Sequence, residues 1–137
     1  MKQRVPVSEI MAKKLITVPS TSKISEIYQL FIDHNIRHIP VTDGTHLLGI
    51  ISKNDILKIG YSFLETNPEA IYAIYDSYNL QDVMVKKPIV VSPTTSIKEV
   101  VELLTKESFH SLPVVEEGNL VGIVTSTDLL KYLLQQY

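Results

Sequence analysis

The sequence predicts an α/β (α+β) fold in which one β-α-β-β-α unit occurs twice. Three observations predict it: the chain repeats itself, short apolar runs alternate with amphipathic helical stretches, and 137 residues suit one domain-sized module. A shift of 73 residues, the spacing between Met11 and Met84, also aligns Asp55 with Asp128 and needs no gap over residues 7–57. Agreement between the copies therefore checks the assignment of each element.

Each copy opens with a short strand and an amphipathic helix. The apolar runs 16–18 and 89–91 stop close to a proline, as brief strands do before turns. Apolar residues then recur at i, i+3, i+4 and i+7 from Ile24 and again from Ile97, which predicts one buried stripe per helix. The segment Ser96-Ile-Lys-Glu99 has the spacing of a capping box, so it marks where the second helix begins.

Two strands and a final helix complete the unit. The pattern predicts two strands, at residues 38–41 and 47–51, joined by a turn at Asp43-Gly44. The second copy repeats this pattern, with a turn at Glu117-Gly118 before the apolar run 120–124. Polar clusters that open a final helix follow each hairpin, at residues 52–55 and 125–128.

The repeat divides the chain into three predicted parts: repeat 1 over 1–60, a linker helix within 61–79, and repeat 2 over 80–137. Neither repeat alone buries enough apolar area to be comfortably stable. We therefore expect the two halves to pack together across a pseudo-two-fold axis into one module.

The linker is predicted to be helical because Asn67-Pro68-Glu69 resembles a helix start, with an Asn cap and Pro in the first turn. Four apolar or aromatic side chains then share one helical face, namely Ile71, Ile74, Tyr75 and Tyr78. Core packing and a partner or dimer face are both open interpretations of this face.

Composition excludes several classes of function. Thirteen basic and 15 acidic residues leave a formal charge of -2, which argues against nucleic acid and anionic membranes as partners. No apolar run approaches the roughly 20 residues of a membrane span, and no apolar stretch follows the basic N-terminus as in a signal peptide. The absence of cysteine removes disulfides, thiolate metal sites and cysteine nucleophiles. We expect a soluble, unprocessed, cytoplasmic protein.

Catalysis and metal binding are not predicted. The nucleophile-elbow, zinc-protease, P-loop and dinucleotide-binding motifs do not occur in the sequence. Four scattered histidines lack the arrangement that zinc requires, namely His34, His38, His46 and His110. The sequence therefore predicts no enzyme, no metal site and no required cofactor.

One repeated motif points to ligand binding: a glycine, a hydroxyl three residues on and a carboxylate six residues on, at Gly49 and again at Gly122. Glycine lets the backbone approach a ligand, and the hydroxyl sits at a helix N-terminus, where free NH groups favour a phosphate. The carboxylate can accept hydrogen bonds from the vicinal hydroxyls of a ribose. In the alternative interpretation, the hydroxyl and carboxylate only cap the helix. The fixed glycine favours the ligand.

The whole chain resembles a tandem pair of cystathionine beta-synthase (CBS) domains, or Bateman module. The resemblance depends on Met11 and Met84, on the segments 39–41 and 112–114, and on the two repeated G-x-x-[ST]-x-x-D motifs. It implies a non-catalytic regulatory module with two clefts between the repeats. It also implies adenosine derivatives as ligands: AMP, ADP, ATP or S-adenosylmethionine.

Carried over to this sequence, the resemblance implies two sets of ligand-binding residues. The cleft with Asp55 as ribose acceptor would also use Ser52, Asn54, Arg37 and His38, with walls from Ile50, Met84, Ile89 and Phe109. The cleft with Asp128 would use Thr125, Thr127 and His110, with walls from Met11, Ile16, Ile36 and Ile123.

The two predicted clefts differ in charge. Arg37 and His38 precede the first hairpin, whereas His110 and Ser111 stand at the matching positions, so the resemblance implies unequal occupancy by phosphorylated ligands. Paired lysines after each methionine either contact further phosphates or are simply solvated, at 13–14 and 86–87.

A ligand-free interaction module is the alternative function, with the repeated glycine and carboxylate serving only the fold. Either function predicts a homodimer, whose orientation the sequence does not fix. An effector protein would bind in trans.

Overall fold

The computed structural model describes residues 4–60, 68–107 and 109–137, which form two compact units. The Asp55 unit comprises 16–44, 48–60 and 68–87. The Asp128 unit comprises 4–15, 45–47, 88–107 and 109–137.

The Asp55 unit holds the first copy of the predicted helix–hairpin–helix. In chain order its elements are α1 (Ile24–His34), β1 (His38–Asp43), β2 (His46–Ser52, whose first two residues group with the Asp128 unit), α2 (Lys53–Gly60), α3 (Pro68–Asp76), α4 (Leu80–Val83) and β3 (Val85–Lys86). Strands β1 and β2 are neighbours, and β3 pairs antiparallel with β2 through Gly49–Lys86 and Ile50–Val85. The predicted turn lies between β1 and β2, where Gly44 has a φ of +60°.

The Asp128 unit repeats this order. Its elements are a 3-10 turn (Val7–Glu9), α5 (Ile97–Glu107), β4 (Ser111–Glu116), β5 (Asn119–Thr125) and α6 (Ser126–Gln135). Strands β4 and β5 pair antiparallel, and the turn residues Glu117 and Gly118 both have positive φ, as a tight hairpin requires. The tip of the first hairpin belongs here because His46 pairs with Asn119 and the Thr45 hydroxyl donates to Asn119 Oδ1 at 2.6 Å.

The opening strands predicted at 16–18 and 89–91 are reduced to single parallel bridges. Val18 bridges Val41, and Val91 bridges Val114. In each case the backbone NH donates to a proline carbonyl, at 3.1 Å. Extension is limited because Pro19 and Pro93, which follow closely, have no NH for a sheet ladder.

The segments that open the two repeats are exchanged between the units. Residues 4–15 group with the second copy, where Ala12 and Ile123 exchange two backbone hydrogen bonds of 2.8 and 3.1 Å. Residues 80–87 group with the first copy, where β3 lies on β2. The predicted parts 1–60, 61–79 and 80–137 follow the repeat in the sequence, whereas the compact units follow this exchange.

Each unit has its own apolar core. The core of the Asp55 unit is built on the helix α1 stripe and on strand residues, among them Ile24, Ile27, Phe31, Ile39, Val41 and Ile51. The core of the Asp128 unit is built on the matching positions, among them Val100, Leu104, Leu112, Val114 and Val124. The predicted helical stripes therefore face the cores, as amphipathic helices do. Val101 is an exception, because it belongs to the second predicted stripe but is 38% exposed.

The linker helix packs into the core of the Asp55 unit. The Tyr75 side chain of α3 is only 4% exposed, and its ring lies 5.5 Å from that of Tyr28 on α1. Burial, then the neighbouring Tyr28 and Tyr72, raise the pKa of Tyr75 above its ordinary value. Core packing is thus confirmed for Tyr75, whereas Tyr78 lies beyond the end of α3 and is exposed. The predicted cap Asn67 lies outside the described residues.

Helix α1 is capped by the far end of α3. The Asp76 carboxylate accepts from the Ser25 backbone NH at 3.0 Å and from the Ser25 hydroxyl at 2.8 Å, whereas Lys23, at the N-cap position, provides no side-chain cap. Replacing Asp76 with alanine should therefore lower the free energy of unfolding by about 1–2 kcal/mol, as the loss of an N-cap does. Urea unfolding measures this change. Asp82→Ala, an exposed acid in the next helix, is the control, and equal effects of both changes would contradict the cap.

Candidate ligand-binding site

The first copy of the repeated motif lies where β2 ends and α2 begins. The Ser52 hydroxyl accepts from the Asp55 backbone NH at 3.1 Å, and the Ser52 NH donates to Asp55 Oδ2 at 2.9 Å. This reciprocal pair is a capping box, and both residues are half-buried. The motif therefore caps the helix in the first copy.

The second copy has the same geometry at the start of α6. Asp128 Oδ2 accepts from the Thr125 NH at 2.9 Å and from the Thr125 hydroxyl at 3.1 Å, and the Asp128 NH donates to that hydroxyl oxygen at 3.3 Å. In both copies the cap uses only Oδ2. Within the described residues, Oδ1 of Asp55 and of Asp128 forms no hydrogen bond.

The residues that precede β1 and β4 are tied to the same two helix starts. The Lys53 NH donates to the Arg37 carbonyl at 2.9 Å, and the Ser126 NH donates to the His110 carbonyl at 3.0 Å. Arg37 and His110 are both exposed. The residue tied to the start of α2 is therefore a permanently charged arginine, whereas the residue tied to the start of α6 is a histidine.

The repeated glycines have a role that the sequence did not reveal. A Cβ on Gly49 would lie 2.6 Å from the Val85 carbonyl oxygen and 3.0 Å from Met84 Sδ. A Cβ on Gly122 would lie 2.5 Å from Met11 Sδ and 3.0 Å from the Ala12 carbonyl oxygen. The space beside each glycine is filled by the exchanged opening segment. Packing against this segment thus also accounts for the fixed glycine, so the glycine does not by itself favour a ligand.

Comparison with known proteins decides the family. The CBS domain family model matches the chain twice, over residues 7–61 and 80–135. The chain is a tandem pair of CBS domains and belongs to that family. This agrees with the resemblance found in the sequence and with the mixed α/β fold.

Relatives of this CBS pair include longer proteins. It is 34% identical over 129 residues to protein MJ1225 of Methanocaldococcus jannaschii, covering 93% of this chain and 42% of that protein. It is 30% identical to protein MJ0188 of the same organism, of which it covers 45%. The chain thus spans less than half the length of these two relatives.

Two solved CBS pairs match its fold and carry adenosine compounds. The pair from protein MJ0100, in complex with 5′-methylthioadenosine and S-adenosyl-L-methionine, is 26% identical with a TM-score of 0.82, and the match covers 98% of this chain and 100% of that one. CBSX2 of Arabidopsis thaliana, in complex with AMP, is 26% identical with a TM-score of 0.80. The match covers 96% of this chain and 97% of that one.

The predicted wall residues are distributed over both compact units of the CBS pair. Met84 lies in the Asp55 unit and Met11 in the Asp128 unit, as the prediction had them. The remaining walls stay with their own copy: Ile16 and Ile36 lie in the Asp55 unit, and Ile89, Phe109 and Ile123 lie in the Asp128 unit. The sequence prediction draws the walls of each cleft from both copies, so Ile16 and Ile36 stay predicted for the Asp128 cleft. Ile89 and Phe109 likewise stay predicted for the Asp55 cleft.

The remaining predicted residues lie at the helix starts or along the exchanged segments. Asn54 and Thr127 are exposed in the first turns of α2 and α6, and His38 is half-buried at the start of β1. Ile50 pairs with Val85 of β3. The predicted lysines are all exposed, at 13–14 and 86–87.

The sequence prediction missed the residue after each methionine. Val85 and Ala12 pair with the strands that lead to the two motifs, through Ile50 and Ile123. The 73-residue repeat contained the signal, because the same shift relates Ala12 to Val85 and Ile50 to Ile123.

A polar groove of about 410 Å³ in the Asp55 unit is lined by residues of 20–23 and 76–82, and none of the predicted ligand residues lines it. Among the described residues, no group of three histidine or acidic side chains is arranged to hold a metal ion. In the same part of the chain, every helix is too short or too polar to cross a bilayer.

Proposed function

We propose that this CBS pair is a regulatory module, without catalysis of its own, that binds adenosine derivatives at the starts of α2 and α6. One observation carries the proposal. In both copies the capping aspartate uses Oδ2 for the helix and has no protein hydrogen bond on Oδ1 within the described residues. Such an oxygen can accept from ribose hydroxyls without breaking the cap.

The surroundings of these carboxylates support a phosphorylated ligand at the first site. A helix N-terminus favours an anion, and the exposed Arg37 adds a permanent positive charge beside α2. Arg37 forms no ion pair with any described carboxylate, so its guanidinium is not already neutralised. We therefore assign AMP, ADP or ATP preferentially to the Asp55 site. The less cationic Asp128 site is suited to a ligand with fewer phosphates or none, such as S-adenosylmethionine.

The solved relatives support the chemical class of ligand. One CBS pair 26% identical to this chain binds 5′-methylthioadenosine and S-adenosyl-L-methionine, and another, also 26% identical, binds AMP. Adenosine is the part that these ligands share. The charge of the attached group is therefore the property that this chain's own residues would select.

Thermal unfolding with and without millimolar ligand tests the proposal, with AMP, ADP, ATP, S-adenosylmethionine and GTP as probes. Ligand at 100 times its Kd should stabilise the protein by about 2.7 kcal/mol. We expect Asp55→Ala to remove the response to phosphorylated adenosines and Asp55→Ala with Asp128→Ala to remove every response. Ligand-induced shifts are compared within each variant, because loss of the cap lowers the baseline stability.

Glu99→Ala is the matched control. Glu99 stands at the same place in helix α5, where its NH donates to the Ser96 hydroxyl at 3.1 Å, but it lies outside the repeated motif. It should leave the ligand response intact. Equal shifts in the wild type and the double aspartate variant would contradict the proposed site.

A ligand-free interaction module is the second candidate. The observation that favours it is that helix capping and methionine packing together account for the repeated glycine, hydroxyl and carboxylate. This function predicts a homodimer, or a complex with an effector protein, whose stability is insensitive to nucleotides. The absence of any ligand-induced shift would favour it over the sensor.

A further inference from the structure

In the Asp128 unit, the loop that leads into α5 is paired with an extended segment from the start of the chain. Residues 5–8 lie along residues 93–97, and Pro6 forms an antiparallel bridge with Ser96. Three backbone hydrogen bonds of 2.7, 3.2 and 2.9 Å hold the pair together. They run from the NH groups of Val7, Ser8 and Ile97 to the carbonyls of Thr95, Pro93 and Val5, in that order.

The matching contact is open in the Asp55 unit. The 73-residue shift relates the loop 93–97 to 20–24, and the segment 5–8 to 78–81. In the part of the chain that the structure describes, the corresponding NH groups of Ile24, Leu80 and Gln81 have no hydrogen-bond partner. The polar groove lies between these two segments, and its volume of about 410 Å³ is within the range of ligand pockets. The groove therefore takes the place of the backbone pairing.

Helix α3 keeps the groove open. The NH groups of Ser77 and Tyr78 donate to carbonyls of α3 at 3.1 Å, so these residues continue the helical turn instead of extending along the loop. The end of α3 is itself fixed, because Tyr75 is buried and Asp76 accepts two hydrogen bonds from Ser25. The chain's own segment thus cannot pair with the loop 20–24 while α3 is packed.

The loop presents polar groups that can bind an external chain. Among the described residues, the hydroxyls of Ser20, Thr21 and Ser22 form no hydrogen bond, and Lys23 forms no ion pair. The backbone offers the NH of Ile24 as a donor and the carbonyls of two serines as acceptors. Their counterparts in the other unit bind an extended segment, and an extended peptide backbone supplies the same partners.

Charge and packing define the side chains of such a peptide. Lys23 takes the place of Ser96, the residue that bridges Pro6, so a peptide residue at the Pro6 position would meet an exposed ammonium group. An acidic side chain is complementary there. The opposite wall contains the exposed Asp82, which limits the acidic preference to that one position. Leu80 is already buried in the core, so the peptide needs no apolar anchor.

We propose that the polar groove binds an extended, polar peptide segment of a partner protein. The peptide backbone pairs with residues 20–24 as residues 5–8 pair with 93–97, and an acidic residue faces Lys23. The main-chain hydrogen bonds provide the affinity, and the acidic residue fixes the register. The proposal does not depend on the adenosine sites at Asp55 and Asp128, so it can fail while the proposed function stands, and the reverse.

A titration of the isotope-labelled full chain with a capped peptide, followed by NMR, tests the pairing. The probe is Thr-Thr-Glu-Thr-Thr, because threonine favours an extended backbone and the glutamate occupies the Pro6 position when the peptide is aligned with residues 4–8. We expect millimolar peptide to shift the amide signals of residues 20–24 and 80–82. The absence of shifts there would overturn the proposal.

N-methylated peptides test whether the backbone makes the contact. N-methylation of the last two residues removes the donors for the carbonyls of Ser22 and Ser20, and it should weaken binding about tenfold. N-methylation of the second residue is the matched control, because the counterpart Val5 uses only its carbonyl in the pairing. Equal binding of the two methylated peptides would show that the peptide backbone does not pair with the loop.

A charge reversal tests the position of the acidic residue. Lys23→Glu should weaken binding of the glutamate peptide about fivefold, and the peptide Thr-Thr-Lys-Thr-Thr should then bind better than the glutamate peptide. Lys58→Glu is the matched control, since Lys58 is an exposed lysine of α2 outside the groove and the net charge changes equally. Equal weakening by both changes would mean that Lys23 does not face the acidic residue, and the proposed register would be wrong.

Discussion

Replacing Tyr75 with alanine is expected to lower the free energy of unfolding by about 3–5 kcal/mol, the cost of removing a buried aromatic side chain. Tyr75 is only 4% exposed and its ring lies 5.5 Å from Tyr28 and 6.3 Å from Tyr72. It also fills the space beside Gly60. Its loss would leave a cavity under α3 that these neighbours fill only in part.

Urea unfolding measures the effect, and Tyr78→Ala is the matched control. Tyr78 follows α3 in the sequence but is 45% exposed, so its removal should change the stability by less than about 0.5 kcal/mol. Similar losses for the two tyrosines would mean that α3 is not anchored by Tyr75.

The helices and turns of this fold could be predicted because each depends on residues that lie close together in the sequence. The apolar stripes that start at Ile24 and Ile97 predicted α1 and α5, which begin at those residues. The turn glycines Gly44 and Gly118 predicted both hairpins, and both have positive φ. Helix periodicity and turn chemistry each depend on residues a few positions apart, so one copy suffices to read them.

Contacts between distant parts of the chain could not be predicted in this way. The exchange of opening segments places Val85 against Gly49, although neither periodicity nor turn chemistry links them. Strand β3 is only two residues long, too short to show an alternating pattern. The cap of α1 by Asp76 joins residues 51 positions apart. Such features arise from tertiary packing between residues far apart in the sequence, which leaves no local pattern.

Substitution of the glycines in the repeated motif is the second change expected to have a large effect on stability. Gly49→Ala should lower the free energy of unfolding by about 1–3 kcal/mol, because its Cβ would lie 2.6 Å from the Val85 carbonyl oxygen, a backbone atom that cannot rotate away. In Gly122→Ala the nearest atoms belong to the Met11 side chain, at 2.5 and 2.9 Å. The nearest obstacle is therefore a backbone oxygen in the first variant and a side chain in the second, where the Ala12 carbonyl oxygen lies farther away, at 3.0 Å.

Double-mutant cycles separate these two obstacles. Shortening Met11 to alanine should relieve much of the strain in Gly122→Ala, so the two changes should be non-additive by about 0.5–3 kcal/mol. Shortening Met84 should relieve less of the strain in Gly49→Ala, because the Val85 carbonyl remains in place. Equal coupling energies in both cycles would show that these close contacts are not the reason for the glycines. If Gly49→Ala instead keeps its stability and loses the response to adenosine ligands, close approach of a ligand would be the reason for the glycine, as the sequence first suggested.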